Sequence, residues 1–208
     1  VTLALLMYHD RYKSFPPAYV ADEQGRPMYS WRVLLLQFLD RQDLHREFHW
    51  DEPWDSPHNK KLIAKMPKVF GKSAARGEDG EAGKTQIVVP VGEGTMFPLD
   101  ERGLGISPTE VRDGLSQTLM AIVLPEEEAV VWTKPDDYDF DPEDPTKGLF
   151  PDGRRGTAAL MADGSVRTIS PEMGLDALKG MFTRSGSEAG GEHQDAIPAI
   201  DGGFDPFQ

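Results

Sequence analysis

The hydrophobic pattern of this chain changes its period once, and that change limits the folds open to it. In SWRVLLLQFLDRQDLHREF the apolar residues Trp31, Leu34, Leu35, Phe38 and Leu39 recur at helical spacing, with Ser30 placed to cap the helix. From residue 85 onward the runs TQIVVPVG, TLMAIVLP and AVVWTKP are β-branched or aromatic, bounded by Gly, Pro and acidic residues as strands are. Helices and strands segregated in this way indicate an α+β fold. The expected arrangement lays the first helix across one face of a small antiparallel sheet. The 17 prolines and 21 glycines agree, since they call for more turns than a helix bundle has.

Local signals place the other elements. VTLALLMYHDRYKS reads as the last turns of a buried helix, stopped by its polar end and by Ser14 to Pro17. It opens at Val1 in what reads as mid-helix, so a further apolar segment is expected upstream. Ser56-Pro57 predicts the start of a helix, PHNKKLIAKM, with proline at its first position. The small, charged run from Gly71 to Lys84 reads as a surface loop. Ser107, Pro108 and Glu110 spell a capping box. In GTAALMADGSVRTIS two short strands flank Asp163-Gly164, which predicts a hairpin with a type I′ turn. SPEMGLDALKGMF reads as a last capped helix. Residues 1–184 then form one globular unit, and 185–208 an extended or disordered tail.

Charge and composition exclude several functions. The 208 residues carry 22 basic and 35 acidic side chains, a net charge of −13, with no compact basic patch. Nucleic acid and anionic membrane surfaces repel such a chain. There is no cysteine, which removes thiol catalysis, zinc-thiolate sites, iron–sulfur clusters and disulfides. No stretch reaches the roughly 18 apolar residues of a membrane helix.

The densest constellation is WDEPWDSPH, with Trp50, Asp51, Glu52, Trp54, Asp55, Ser56 and His58. A zinc-protease helix would need glutamate directly after His45, where Arg46 stands. The residues read instead as a turn anchored by two tryptophans, with Asp55 and Ser56 accepting from the open N–H groups of the next helix. The acidic loop offers Asp137, Asp139 and Asp141 at the alternation of a calcium loop's first ligands. Pro142 and Gly148 occupy the positions where an EF-hand needs glycine and glutamate. A looser Ca²⁺ site remains open there, beside the default of a solvated loop. No serine sits in a nucleophile elbow, and VGEGTMF lacks the lysine of a phosphate loop. No catalytic residue and no resident cofactor are expected, and the chain is read as a non-enzyme.

YHDRYKSFPPAY, SWRVLLLQFLDRQDL, DEPWDSPHNKKL, VWTKPDD and ALMADGSVRTIS, in that order, resemble a large bacterial family of pilin-like proteins. The resemblance spans residues 1 to 185. Members usually carry a prepilin-type cleavage and methylation segment and end in His, nine residues, then Asp-Gly; they are loosely labelled solute-binding. Here Asp163 and Gly164 match the end of that motif, but Gly153 stands at its histidine. Lys72 stands where members often have cysteine, so a disulfide to the N-terminal helix is not expected. The resemblance implies a pilin-like headpiece, extracytoplasmic and membrane-anchored as a precursor only through a helix upstream. Its partners would be other pilin-like subunits or components of a secretion or pilus assembly. By likeness to the Asp-Pro-Trp turn of type II secretion pseudopilins, DEPWDSP would be a structural clasp between the helical and β portions. The alternative is an extracytoplasmic binding module for a small ligand, carbohydrate or Ca²⁺, with a pocket near Trp50, Trp54 and Trp132.

Overall fold

The computed structural model describes residues 1–71, 83–99, 105–151 and 153–185. The glycine-rich loop, Lys72 and the tail therefore lie, wholly or nearly so, outside the described residues. The fold is α+β, with short helices and small, mostly antiparallel sheets.

Helix α1, Thr2–Tyr12, buries Ala4, Leu5 and Tyr8 and leaves Leu3 and Met7 facing outward. It ends before the prolines act, because Lys13 turns left-handed (φ 62°) and donates its N–H to the His9 carbonyl. A hairpin of β1, Tyr19–Ala21, and β2, Pro27–Ser30, follows. Ser30 caps α2, Trp31–Leu34, as its position predicts. The long helix expected beyond it does not form. After α2 the backbone tightens to a 3₁₀ turn over Leu35–Phe38, breaks at Asp40 (φ 53°) and resumes as α3, Gln42–Glu47. Residues 31 to 36 are all buried, so this segment is enclosed on every side rather than amphipathic.

The strand-like runs divide in the same way. TQIVVPVG gives three two-residue strands in three different pairings: β3, Lys84–Thr85, β4, Ile87–Val88, and β5, Pro90–Val91. Thr85 draws the Ile87 N–H onto its own hydroxyl, and Pro90 has no N–H to give a ladder. β6, Leu119–Val123, is the central strand, followed by β7, Val130–Val131, and β8, Tyr138–Asp139. β9, Thr157–Met161, and β10, Val166–Ile169, complete a four-stranded antiparallel sheet in the order β10-β9-β6-β4. Smaller pairs join β3 to β7 (antiparallel) and β5 to β8 (parallel).

The sheet is buried on both faces. Met120, Ala121 and Leu160 meet the core that contains Ala4, Leu5 and Tyr8 of α1. Leu119, Ile122, Ala159, Met161 and Ile169 meet Leu178 and Phe182 of α4, Leu175–Phe182. The first helix shares the core beneath one face and packs chiefly on the Leu35–Phe38 turn, and the last helix covers the other face. α4 begins at Leu175 behind Gly174, not at Ser170-Pro171, because residues 171–173 make a separate turn.

The hairpin forms where predicted, but its turn is not type I′. Gly164 alone has positive φ (92°), the Gly164 N–H donates to the Met161 carbonyl, and Met161 pairs with Ser165. That is a three-residue loop closed by a glycine bulge, the next commonest solution. Its tip rests on α1: a Cβ at Gly164 would lie 3.0 Å from Leu6 Cδ1. Gly105 is tighter still, since a Cβ there would fall 1.5 Å from the Phe15 carbonyl oxygen. Gly105→Ala is expected to cost about 2–3 kcal/mol by overpacking, read as a lower urea midpoint with unchanged slope.

Candidate functional site: the Trp50–Asn59 turn and a buried ion pair

The turn after α3 is organised by a residue that its sequence does not advertise. Asn59 is fully buried. Its Nδ2 donates to the carbonyls of His49 (2.8 Å), Glu52 (3.1 Å) and Pro53 (3.1 Å), and its Oδ1 accepts the His49 N–H (2.9 Å). One side chain so gathers four backbone groups, sharing its two N–H bonds among three carbonyls; the His49 and Pro53 carbonyls also accept the Glu52 and Ser56 N–H groups, while the His49 N–H and the Glu52 carbonyl rely on Asn59. Ser56 accepts the Asn59 N–H on its hydroxyl and so opens a 3₁₀ helix over Asn59–Lys65, shorter and tighter than the helix expected from Pro57. Asp55, expected to share this capping, lies exposed with Asp51 on the outside of the turn.

The aromatic residues fix the turn to its neighbours. Trp50 donates from its indole to the His45 carbonyl (3.1 Å), and its ring meets Tyr29, Phe48 and the His45 imidazole at 5.5, 5.2 and 4.6 Å. The Trp54 N–H donates to the Met28 carbonyl of β2. Burial holds His45 below the ordinary histidine range, with Arg46 adding to the effect. The hydroxyl of Ser56 and then His49 hold the exposed Glu52 carboxyl below its usual range.

The histidines do not make a metal centre. α3 ends at Glu47, so His49 leaves the helix that would have placed it on one face with His45. It stacks instead on His58, with ring centroids 3.4 Å apart and planes 4° from parallel. His49 Nδ1 meets Glu52 Oε1 at 3.1 Å, and His58 Nε2 meets the Glu47 carbonyl at 2.7 Å. Parallel rings aim their remaining lone pairs side by side, not at a common point. Among the described residues no group of three or more His, Asp or Glu side chains is placed to hold a metal ion.

A second polar cluster lies deeper. Arg32, fully buried in the apolar segment around α2, pairs with Asp137 through Nη2 and Oδ1 at 2.7 Å. Its Nη1 donates to Ser30 Oγ (2.7 Å) and its Nε to the Ile87 carbonyl (3.0 Å). Asp137 Oδ1 also accepts the Trp31 indole N–H (3.1 Å) and the Val89 N–H (3.0 Å). Ile87 and Val89 lie on the outer edge of the sheet at β4, so the ion pair caps that edge where a fifth strand would otherwise be needed. Burial pushes the Asp137 carboxyl up to about 6, against the pull of Arg32, the Val89 N–H and Trp31. Burial likewise lowers Arg32, with Asp137 opposing.

The other sequence candidates are scattered. Asp137 is turned into the core while Asp139 is exposed on β8, and Asp141 accepts the Glu143 N–H, so the three do not converge. Asp163 accepts from the N–H and the hydroxyl of Ser165, which holds its carboxyl below the usual range. Gly153 has φ 76° and open space around it. Trp132 is fully buried and donates to the Ile63 carbonyl. An open depression of about 490 Å³ takes in Asp51 and Pro53 along with Asp22 to Met28, but none of the tryptophans. Its Asp22 carboxylate is already occupied by the N–H groups of Gln24 and Arg26 and by the Arg26 side chain.

No curated protein and no solved structure matches the chain. Residues 1–147 match the family described as "Protein of unknown function (DUF1559)". The matched region contains α1, the Trp50–Asn59 turn and both partners of the Arg32–Asp137 pair. The chain belongs to that family, a bacterial family of unknown function loosely labelled solute-binding.

Proposed function

We propose that this chain is the extracytoplasmic headpiece of a pilin-like envelope protein, acting through assembly and surface contacts rather than catalysis. The observation that carries the reading is the use of its most reactive-looking residues. Asn59, Ser56, Trp50, Arg32 and Asp137 all direct their polar atoms to backbone groups or to one another; the first three close the turn, and Arg32 and Asp137 join the helical half to the sheet. A catalytic centre instead keeps polar groups aimed at a space that a substrate can enter. A first helix with Leu3 and Met7 outward suits a subunit that packs against others. Other pilin-like subunits or assembly components are the partners, and membrane contact is through an upstream helix.

Intact mass and N-terminal sequencing of the native protein from its source cells test this. A mature chain that extends upstream of Val1 into an apolar helix with a methylated first residue is the expected result. An ordinary signal-peptide terminus near Val1 would overturn the filament reading.

A second reading takes the loop from Asp137 to Asp144 as a weak Ca²⁺ module, which requires carboxylates that lie apart here to converge on the ion. Thermal melting in millimolar Ca²⁺ separates the two. The headpiece reading expects no change in Tm, whereas a Ca²⁺ site raises it by mass action.

A further inference from the structure

The stacked histidines of the turn have a geometry that two neutral rings do not favour. His49 and His58 lie face to face, with centroids 3.4 Å apart and planes 4° from parallel. Like aromatic rings prefer an offset or edge-on approach, whereas a cationic group is drawn to the face of a ring. The hydrogen bonds fix where a proton would go. The Glu47 carbonyl, 2.7 Å from His58 Nε2, can only accept, so that nitrogen carries hydrogen. The Glu52 carboxyl, held below its usual range by the Ser56 hydroxyl and then by His49, is a charged acceptor 3.1 Å from His49 Nδ1, so Nδ1 carries hydrogen as well. His49 Nε2 and His58 Nδ1 remain as the two sites for a proton from solvent. Filling one gives a cation stacked on a neutral ring and beside a carboxylate. Filling both sets two positive charges one ring thickness apart, which a single carboxylate does not offset.

We propose that His49 and His58 form a one-proton latch on the Trp50–Asn59 turn: the ring stack is strongest with one proton on the pair and parts when the second arrives. The latch stands apart from the assembly reading and holds whether or not that reading does. Its two rings tie different elements. His58 holds the carbonyl of Glu47, the last residue of α3. His49 reaches through Glu52 to Ser56, whose hydroxyl accepts the N–H of the buried Asn59. Parting the rings therefore loosens α3 from the start of the 3₁₀ helix, while the bonds between the Asn59 side chain and the His49 backbone remain. The other charged groups around the pair do not supply the missing counter-charge. Glu47 is bound to Lys65 at 2.6 Å, and Asp51 and Asp55 lie exposed on the outside of the turn. Arg46, Lys60 and Lys61 add positive charge. His45 packs on Trp50, where burial disfavours its charged form. Histidine is the residue type that changes charge between pH 5 and 8, so a latch of this kind answers to mild acid.

NMR of the histidine rings of the full chain from about pH 8 to about pH 4.5, with amide exchange on the same samples, tests it. The expected result is that Overhauser contacts between the His49 and His58 rings, and their mutual upfield shielding, pass through a maximum as pH falls and are gone at the acid end. In step with that loss, the Asn59 amide loses protection by about threefold or more, corrected for intrinsic exchange, while the β9–β10 amides keep theirs. Glu52→Gln keeps the hydrogen-bonding shape without the charge. It is expected to move the loss of the stack to higher pH by about half a unit, the size of an exposed ion pair's contribution. His58→Gln can still donate to the Glu47 carbonyl but takes no proton, and is expected to make Asn59 protection independent of pH. A stack absent at every pH, one strongest at pH 8, or one that persists to pH 4.5 with both rings charged overturns the proposal. So does a stack that Glu52→Gln leaves unmoved, or one that parts with Asn59 protection unchanged. Asn59 protection that falls with acid in His58→Gln as in the parent also overturns it, because another group, His45 first among them, then carries the response.

Discussion

Asp137→Ala is expected to lose about 3–5 kcal/mol of stability, the loss typical of removing one partner from a buried ion pair. The substitution strips one acceptor from three donors at once: Arg32 Nη2, the Trp31 indole N–H and the Val89 N–H. Arg32 would then hold a buried positive charge with only neutral hydrogen-bond partners. The chain's marginal stability gives such a change room to unfold it at moderate temperature. Replacing both partners, as in Arg32→Met with Asp137→Ala, removes the stranded charge and is expected to recover part of the loss, so the double variant lies above the single one. The pH dependence follows from the raised carboxyl. Its folded pKa of about 6 lies above the ordinary unfolded value near 3.9, so its contribution favours the folded state fully below about pH 4 and fades as pH rises through about 6. The gap in urea-derived stability between parent and Asp137→Ala is therefore expected to be wider at pH 5 than at pH 8. An equal gap at both would show that this carboxyl does not titrate with folding.

How much of this was legible in the sequence depended on how local each signal is. The Ser30 cap, the Ser107–Glu110 capping box and the β9–β10 hairpin formed where their residues stand, because each needs partners only a few positions away. The hairpin's turn type was missed because Asp-Gly serves both a two-residue loop and the longer bulged loop found here, and strand register decides between them. The single helix expected after Ser30 failed because the periodicity ignored that residues 31 to 36 are buried on all sides. Asp137 was the largest misreading. Its alternation with Asp139 and Asp141 is real, but its role is set by Arg32, 105 positions away. One signal could have found the pair: an arginine inside WRVLLL has no water to face in a buried segment and must bring a carboxylate with it.

DEPWDSPHN carried a similar lesson at shorter range. Its tryptophans and carboxylates drew attention, and the stretch folds as a sharp turn. The residue that closes it is Asn59, which looks like an ordinary early-helix position. A sequence pattern shows which residues are chemically conspicuous. It does not show which backbone groups a sharp turn will leave unpaired, and that need is what places a buried amide.

The same need makes Asn59→Ala the second large prediction, with an expected loss of about 2–3 kcal/mol, since the His49 N–H and the Glu52 carbonyl lose their partner together. The His49 and Pro53 carbonyls keep the Glu52 and Ser56 N–H groups as donors, so the loss is smaller than four separate penalties. Asn59→Asp sharpens the test at nearly constant volume. Its carboxylate could still accept the His49 N–H, but it would set a second oxygen against the carbonyls of His49, Glu52 and Pro53 where Nδ2 now donates. It is expected to be worse than alanine, whereas a residue that merely fills space would tolerate the isostere better. Ser56→Ala removes one capping bond and is expected to cost about 1 kcal/mol. Urea denaturation orders the three variants, and hydrogen exchange of residues 49–56 locates the damage. If the clasp joins the two halves, loosening it must also lower the protection of Met28, which accepts from Trp54 N–H across the junction, as read at the neighbouring β1–β2 amides. Loss confined to the turn itself would mean that it is a local ornament and that other contacts, the Arg32–Asp137 pair and the Trp132–Ile63 bond among them, hold the helical half to the sheet.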